Sequence, residues 1–160
     1  MGVSGSGKTC VGRALAAALG WQFIEGDDLH SAANKAKMAS GRPLDDADRW
    51  PWLDAIAGAA HATQANGSSA IVACSALKRA YRDRLRHADP AMLFVHLNGT
   101  RDVIAARLAA RTDHFMPPAL LDSQLATLEP PAPDEQAIIL DVERPVAEIV
   151  GTALAAIDPD

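Results

Sequence analysis

The 160-residue sequence is poor in several kinds of residue, and each shortage excludes a class of protein. Cys10 and Cys74 are too few for a disulfide framework or a zinc site, so we expect both to be small buried residues in a reducing compartment. No run reaches the roughly 20 apolar residues of a membrane span, and the first residues lack a signal-peptide core. Lys and Arg number 15 against 20 Asp and Glu, which argues against nucleic-acid binding. The composition predicts a cytoplasmic globular protein without membrane or nucleic-acid partners.

The sequence does contain alternating short apolar runs and longer amphipathic stretches, which is typical of an α/β protein. The length predicts one domain over residues 1–160. Pro51 is expected to disturb the start of the third helix. We expect strands at 21–25, 70–74, 92–97 and 137–142, and helices at 10–19, 31–39, 47–66, 76–87, 101–111, 119–128 and 145–157.

Residues 2–9 read GVSGSGKT and match the phosphate-loop spacing G-x-x-x-x-G-K-[ST]. Glycines let the backbone curl until its N–H groups face phosphate oxygens, and the helix that follows adds the positive end of its dipole. Lys8 can then reach the β- and γ-phosphates, while the Thr9 hydroxyl can bind Mg²⁺. The motif predicts an ATP site with Mg²⁺, formed by Gly2, Val3, Ser4, Gly5, Ser6, Gly7, Lys8 and Thr9.

A phosphate loop normally follows a buried strand, but only Met1 precedes Gly2. That strand is central in such a sheet, so without it the neighbouring strands would lack backbone hydrogen-bond partners. We therefore expect Met1 to be an internal methionine that ends the first strand of a longer chain.

The turn Glu25-Gly26-Asp27-Asp28 follows the first predicted strand of this sequence. A carboxylate at that point can accept a proton from a substrate hydroxyl, or it can hold Mg²⁺ through water. Paired aspartates are also ordinary turn residues. The turn by itself leaves these interpretations open.

Five segments together resemble the gluconokinase family: GVSGSGKT, GDDLH, HSAANKAKMASGRPLDDADRWPWL, CSALKRAYRDRLR and HFMPPALLDSQLATLEPP. The resemblance extends from Met1 to about Pro145. It implies a nucleoside-monophosphate-kinase-like fold, with a five-stranded parallel sheet flanked by helices and a mobile lid around residues 111–118. It also implies Mg-ATP, a cytoplasmic homodimer, and phosphorylation of the 6-hydroxyl of D-gluconate.

The resemblance assigns roles to the residues that match its motifs. Asp27 is the candidate general base. Glu25, at a position where the family more often has Asp, is a candidate for a water-mediated Mg²⁺ contact. A carboxylate with a row of hydroxyls calls for basic and polar partners. The positions implied for gluconate are His30, Arg49, Lys78 and Arg82, with Trp50 and Trp52 either lining the sugar pocket or packing in the core.

Two arginines and a histidine are implied around the lid. Arg107 and Arg111 are four residues apart, so they share one face of the helix that leads into it. In related kinases, arginines here contact adenine or phosphates, and Arg111 is expected to be the phosphate contact and a catalytic residue. His114, with Phe115, is expected to close over the substrate and exclude water.

Other functions remain open at this stage. A shikimate kinase also places a carboxylate after a strand and uses arginines for a substrate carboxylate, but CSALK (74–78) replaces its glycine-rich turn. A nucleoside monophosphate kinase would need more arginines before Arg42. A nucleotide-binding protein without catalytic activity is the third alternative, favoured only by the expected missing strand.

Overall fold

The computed structural model describes residues 1–110 and 118–157, and within them the chain has the predicted α/β order. Seven helices and four strands are described, together with a 3-10 turn at Gly26–Leu29. The strands are β1 Gln22–Glu25, β2 Ala70–Ala73, β3 Phe94–Asn98 and β4 Ala137–Asp141. The helices are α1 Lys8–Leu19, α2 Ala32–Ala39, α3 Asp46–Ala65, α4 Arg79–Ala88, α5 Arg101–Ala109, α6 Pro118–Thr127 and α7 Val146–Ile157. Within these ranges, no helix is long and apolar enough to cross a bilayer.

Two helix starts differ from the sequence-based expectation. α3 is continuous through Pro51, because a capping box between Asp45 and Asp48 fixes its start and the proline lies only in the second turn. The predicted break is therefore wrong. α4 begins at Arg79 instead of residue 76, since Ala76 has a φ of 43°, in the left-handed region that a helix cannot use.

The strands form two parallel pairs. β1 pairs with β2, with Gln22 opposite Ala70, and β3 pairs with β4, with Phe94 opposite Ala137. A cavity of about 380 Å³ lies between β2 and β3. In the described ranges these are two two-stranded sheets, and the family-implied fifth strand and its place upstream of Met1 remain predictions.

The backbone of Met1 lies at the edge of that cavity. Its amino group donates to the Val95 carbonyl, and its carbonyl accepts from the Leu97 N–H at 3.0 Å. Gly2 N donates to the Ser75 carbonyl at 3.1 Å, just beyond β2. The phosphate loop is thereby connected to both strand pairs at their carboxyl ends.

Apolar side chains cover both faces of these strands. Phe94 joins α3 and α4 residues in one cluster, whereas Leu97 joins α1 and α7 residues in another, because side chains an odd number of residues apart point to opposite faces. Cys74 is buried as expected. Cys10 is exposed, so its predicted burial is wrong: it lies on the outer side of α1.

The buried His96 of β3 should make the free energy of unfolding depend on pH. It is 2% exposed, and neither ring nitrogen has a hydrogen-bond partner within the described ranges. Burial, with smaller contributions from the amino terminus and Arg82, lowers its pKa from 6.5 to about 4. Between those values the unfolded chain binds a proton that the folded chain does not, so stability is lost as pH falls through this window. The shift corresponds to about 3 kcal/mol.

We therefore expect His96→Leu to remove most of that pH-dependent loss. The measurement is urea unfolding of both proteins at several values from pH 7 to pH 4, comparing the difference in unfolding free energy at each pH. His61→Gln, at an exposed position of α3, serves as the control. Parallel pH curves for the unsubstituted chain and His96→Leu would contradict the assignment.

Candidate active site

Residues 2–7 form a tightly curled loop in front of α1. Gly2, Gly5 and Gly7 have φ values of 139°, 82° and 93°, and Gly7 is the N-cap of the helix. A Cβ on Gly5 would lie 2.7 Å from Leu108 Cγ, so a larger residue would meet both backbone strain and a clash. The first turn of α1 then presents N–H groups that have no partner inside the helix. This is the backbone shape that the phosphate-loop motif predicts.

Lys8 and Thr9 extend from this loop in defined directions. Lys8 Nζ donates to the Val3 carbonyl at 2.9 Å, across the loop. Thr9 Oγ1 donates to Glu25 Oε2 at 2.8 Å, which connects the start of α1 to the end of β1. The phosphate loop and the turn at residues 25–28, which we call the carboxylate turn, are thus joined directly by side chains.

Asp27 lies in the 3-10 turn that follows β1, and its side chain is exposed. The turn is held close to β2, because a Cβ on Gly26 would lie 2.4 Å from the Ala73 carbonyl oxygen, and Trp52 Nε1 donates to the Gly26 carbonyl at 2.7 Å. Asp27 is therefore presented at the carboxyl ends of β1 and β2.

Cys74 directly follows β2 and is buried. Burial raises the pKa of the Cys74 thiol to about 11, while the Lys8 ammonium acts to lower it and the Asp27 carboxylate to raise it further. Both charged groups thus act on the same residue at the end of β2. That the Asp27 carboxylate faces the phosphate loop stays a prediction.

His30 is fixed beside the turn. Its ring stacks on Trp52 with centroids 4.2 Å apart, and its Nδ1 lies 3.5 Å from Asn34 Nδ2, which in turn donates to the Asp48 carbonyl at 2.8 Å. Burial lowers the pKa of His30, as do Arg49 and Lys35, whereas Asp27 acts to raise it. A neutral imidazole thus lies within electrostatic reach of both Asp27 and Arg49.

A group of polar side chains lies where the starts of α3 and α4 meet. Lys78 Nζ donates to Asp46 at 2.7 and 3.0 Å, and the Tyr81 hydroxyl donates to the same carboxylate. The Arg49 guanidinium carbon is 5.7 Å from the centre of the Tyr81 ring. Two cations surround one carboxylate here, which leaves an excess of positive charge. We call Arg49, Lys78, Tyr81 and Asp46 the cationic cluster.

Arg82 is not part of this cluster, and its predicted role in substrate binding is wrong. It is completely buried, with Nε and Nη2 bound to the two carboxylate oxygens of Glu135 at 2.5 and 2.9 Å. Nη1 donates to the carbonyls of Ala76 and Leu77. A guanidinium engaged in this way holds the segment before α4 against residues 132–135, and it has no exposed face for a ligand.

Arg107 lies beside the phosphate loop, and its contact with the nucleotide stays a prediction. Its Nη1 is 4.0 Å from the position of a Cβ on Gly7, and its Nη2 donates to the Val142 carbonyl. Arg111, His114 and the rest of the expected lid, up to residue 117, fall outside the described ranges. Trp50 is partly buried and packs edge-on against Tyr81, whereas Trp52 is in the core.

The sequence analysis missed three residues of the site. It assigns no role there to Asp46, Tyr81 or Gln124. Gln124 of α6 binds the loop residue Ser4. The two residues are 120 positions apart in the sequence, so no local pattern could reveal their contact.

The oxygen atoms near Thr9 are compatible with magnesium. Its hydroxyl and the Glu25 carboxylate are hard ligands, 2.8 Å apart, of the kind that Mg²⁺ prefers. In residues 1–110 and 118–157, no group of three or more His, Cys, Asp or Glu could hold a metal ion alone. Any Mg²⁺ here would take most of its ligands from phosphates and water, as is usual for this ion.

A phosphate loop that opens a helix, with a carboxylate turn at the end of the adjacent strand, defines a P-loop kinase of the α/β class. A family model described as an AAA domain matches residues 1–131. A gluconokinase from Gluconobacter oxydans is 50% identical over 144 residues, covering 90% of this chain and 81% of the relative.

Solved structures of kinases also match this chain closely. A sugar kinase from Janibacter sp. HTCC2649 matches with a TM-score of 0.94 and 49% identity, covering 99% of this chain and 91% of that one. A gluconokinase from Sinorhizobium meliloti 1021 matches with a TM-score of 0.89 and 51% identity, covering 98% and 88%. The chain belongs to the gluconokinase family of P-loop kinases.

Proposed function

We propose that this chain transfers the terminal phosphoryl group of ATP to the 6-hydroxyl of D-gluconate. The observation that carries the proposal is the hydrogen bond between Thr9 and Glu25, which joins the phosphate loop to the turn that bears Asp27, in a chain of the gluconokinase family. Catalysis of phosphoryl transfer is almost entirely positioning and charge stabilisation, so a phosphate loop joined to a turn that bears a carboxylate supplies the main requirements.

The substrate would extend from Asp27 to the cationic cluster. Asp27 orients the reacting hydroxyl and accepts its proton. His30, neutral and fixed by its stack on Trp52, binds an intermediate hydroxyl. Arg49 and Lys78 bind the carboxylate at the other end. This order, from carboxylate turn through imidazole to cations, matches the order of functional groups along a six-carbon sugar acid.

The nucleotide would be bound by residues 2–9, with its phosphates on the loop amides and on Lys8. Lys8 exchanges the Val3 carbonyl for phosphate oxygens, and Arg107 adds positive charge beside Gly7. We assign Arg111 to the phosphates and His114 to the closed substrate site on the family resemblance alone.

Thr9 would hold Mg²⁺, with Glu25 contributing through water. When bound, the ion neutralises negative charge on the phosphates. On the resemblance alone, we further propose that the protein is a cytoplasmic homodimer without nucleic-acid or membrane partners.

A coupled ATPase assay with gluconate, shikimate and AMP in parallel tests the proposed function. We expect turnover with gluconate only, with 6-phosphogluconate identified by ³¹P NMR. Turnover with shikimate would favour the alternative small-molecule kinase. Nucleotide binding without turnover of any of the three would favour a non-catalytic protein.

A further inference from the structure

Gln124 of α6 contacts the phosphate loop with both ends of its amide group. The Ser4 N–H donates to Gln124 Oε1 at 2.7 Å, and Gln124 Nε2 donates to Ser4 Oγ at 3.3 Å. One side chain thus binds the backbone and the hydroxyl of the same loop residue. A paired contact of this kind restrains the orientation of the Ser4 peptide group.

The helix that carries Gln124 is itself anchored. Leu121 is 1% exposed and packs in one apolar cluster with the loop residue Val3. On another side of α6, Asp122 accepts from Arg101 Nε of α5 at 2.6 Å. Gln124 therefore extends from a helix that packs against the phosphate loop through Leu121 and Val3.

The loop needs such a support because of its own composition. Gly2, Gly5 and Gly7 give it the shape to surround phosphate, but glycine loses the most conformational freedom when it is ordered. A loop that must be ordered by its ligand binds more weakly than one that is already ordered. A contact that orders the loop before the nucleotide arrives therefore increases affinity.

We propose that Gln124 is a positioning residue that holds the phosphate loop in its nucleotide-receiving conformation. Because Gln124 lies on α6 and contacts Ser4, it also links the position of that helix to nucleotide binding. The identity of the ligand as ATP rests on the proposed function. The restraint of Ser4 is a property of the protein before any ligand binds.

The test compares Gln124→Met with the unsubstituted chain. Methionine has nearly the same length and fills the same space, but it cannot make either hydrogen bond. We expect the Kd for a non-hydrolysable ATP analogue to rise about five- to tenfold, the effect of one to two hydrogen bonds. We also expect faster hydrogen exchange of the Ser4 amide in nucleotide-free protein, while the Kd for gluconate stays unchanged.

Gln124→Glu is the rescue variant. Its carboxylate still accepts from the Ser4 N–H, and it can accept from the Ser4 hydroxyl where Gln124 donates to it, so we expect slow exchange of the Ser4 amide to be restored. Asp122→Asn is the matched control. It weakens an exposed ion pair on the same helix without touching the loop, and we expect its nucleotide Kd to stay within twofold.

Folded Gln124→Met with unchanged nucleotide affinity and unchanged Ser4 exchange would overturn the proposal. A lowered melting temperature alone, with both of those readouts unchanged, would also overturn it, because it would show only a structural role. If the unsubstituted chain binds the analogue but fails to phosphorylate gluconate, the proposed function is wrong. The exchange and affinity comparison still decides the role of Gln124.

Discussion

Lys8→Ala is expected to lower the turnover of gluconate by about 10³-fold or more while leaving the chain folded. The loss of one pre-positioned donor to developing charge costs about 10²–10³-fold in other enzymes, and Lys8 supplies a full charge at the transferred phosphate. Folding should change little, because its hydrogen bond to the Val3 carbonyl is worth only about 1 kcal/mol. Steady-state kinetics and thermal unfolding measure the two effects separately.

Lys35→Ala is the matched control for this experiment. Lys35 Nζ also donates to a backbone carbonyl, that of Asp28, at 2.9 Å, and it lies on the exposed side of α2. It should retain turnover within about threefold, since the substitution removes an equal charge from outside the phosphate loop. If Lys8→Ala kept a tenth or more of the activity, a phosphate-loop mechanism would be excluded.

The phosphate loop and the elements around it could be predicted from sequence because their signals are local. The glycine spacing fixes the backbone of residues 2–7, and Gly20 ends α1 with a φ of 67°. The capping box at Asp45 and Asp48 similarly marks the start of α3 within four residues. Each of these features depends on residues a few positions apart in the sequence, so a local sequence pattern is enough to predict it.

Arg82 shows where such reasoning fails. It lies four residues after Lys78 on the same basic segment, and nothing nearby distinguishes a ligand-binding cation from a structural one. Its partner is Glu135, 53 positions away, which makes a buried ion pair with it. Only the folded chain brings the two together, because the choice between solvent and a buried carboxylate is made by tertiary packing.

The contact between Gln124 and Ser4 was invisible for the same reason. The family resemblance includes residue 124, but nothing in the sequence around it indicates a contact with Ser4, 120 residues away. The exposure of Cys10 is a simpler case. An Ala-rich helix gives little indication of which face is buried, so the general preference of cysteine for the interior was misleading.

Asp27→Asn is expected to lower kcat about 10²–10⁴-fold with little change in the Kd for ATP. Asparagine keeps the size and the turn preference of aspartate, so the 3-10 turn and its contacts with Trp52 and Ala73 should persist. What is lost is the negative charge that orients the substrate hydroxyl and accepts its proton. Pre-steady-state kinetics and direct nucleotide titration separate chemistry from binding.

Asp28→Asn provides the comparison within the same turn. Asp28 is also exposed, and its backbone carbonyl accepts from Lys35, an interaction that the substitution leaves in place. It should retain activity within about twofold, as expected for a surface change away from the reacting groups. Equal losses in the two variants would mean that the charge of the turn matters in general, and Asp27 would no longer be distinguished as the base.

Magnesium concentration separates the two roles that a carboxylate at this position can have. If Asp27 acted by holding Mg²⁺ through water, the variant would bind the ion more weakly, and raising Mg²⁺ would restore much of kcat. If Asp27 accepts the hydroxyl proton, saturating Mg²⁺ restores nothing, because asparagine cannot take that proton at any metal concentration. We expect the second result, with the Mg²⁺ dependence of Asp27→Asn superimposable on that of the unsubstituted chain, because the paired oxygen ligands assigned to the ion belong to Thr9 and Glu25.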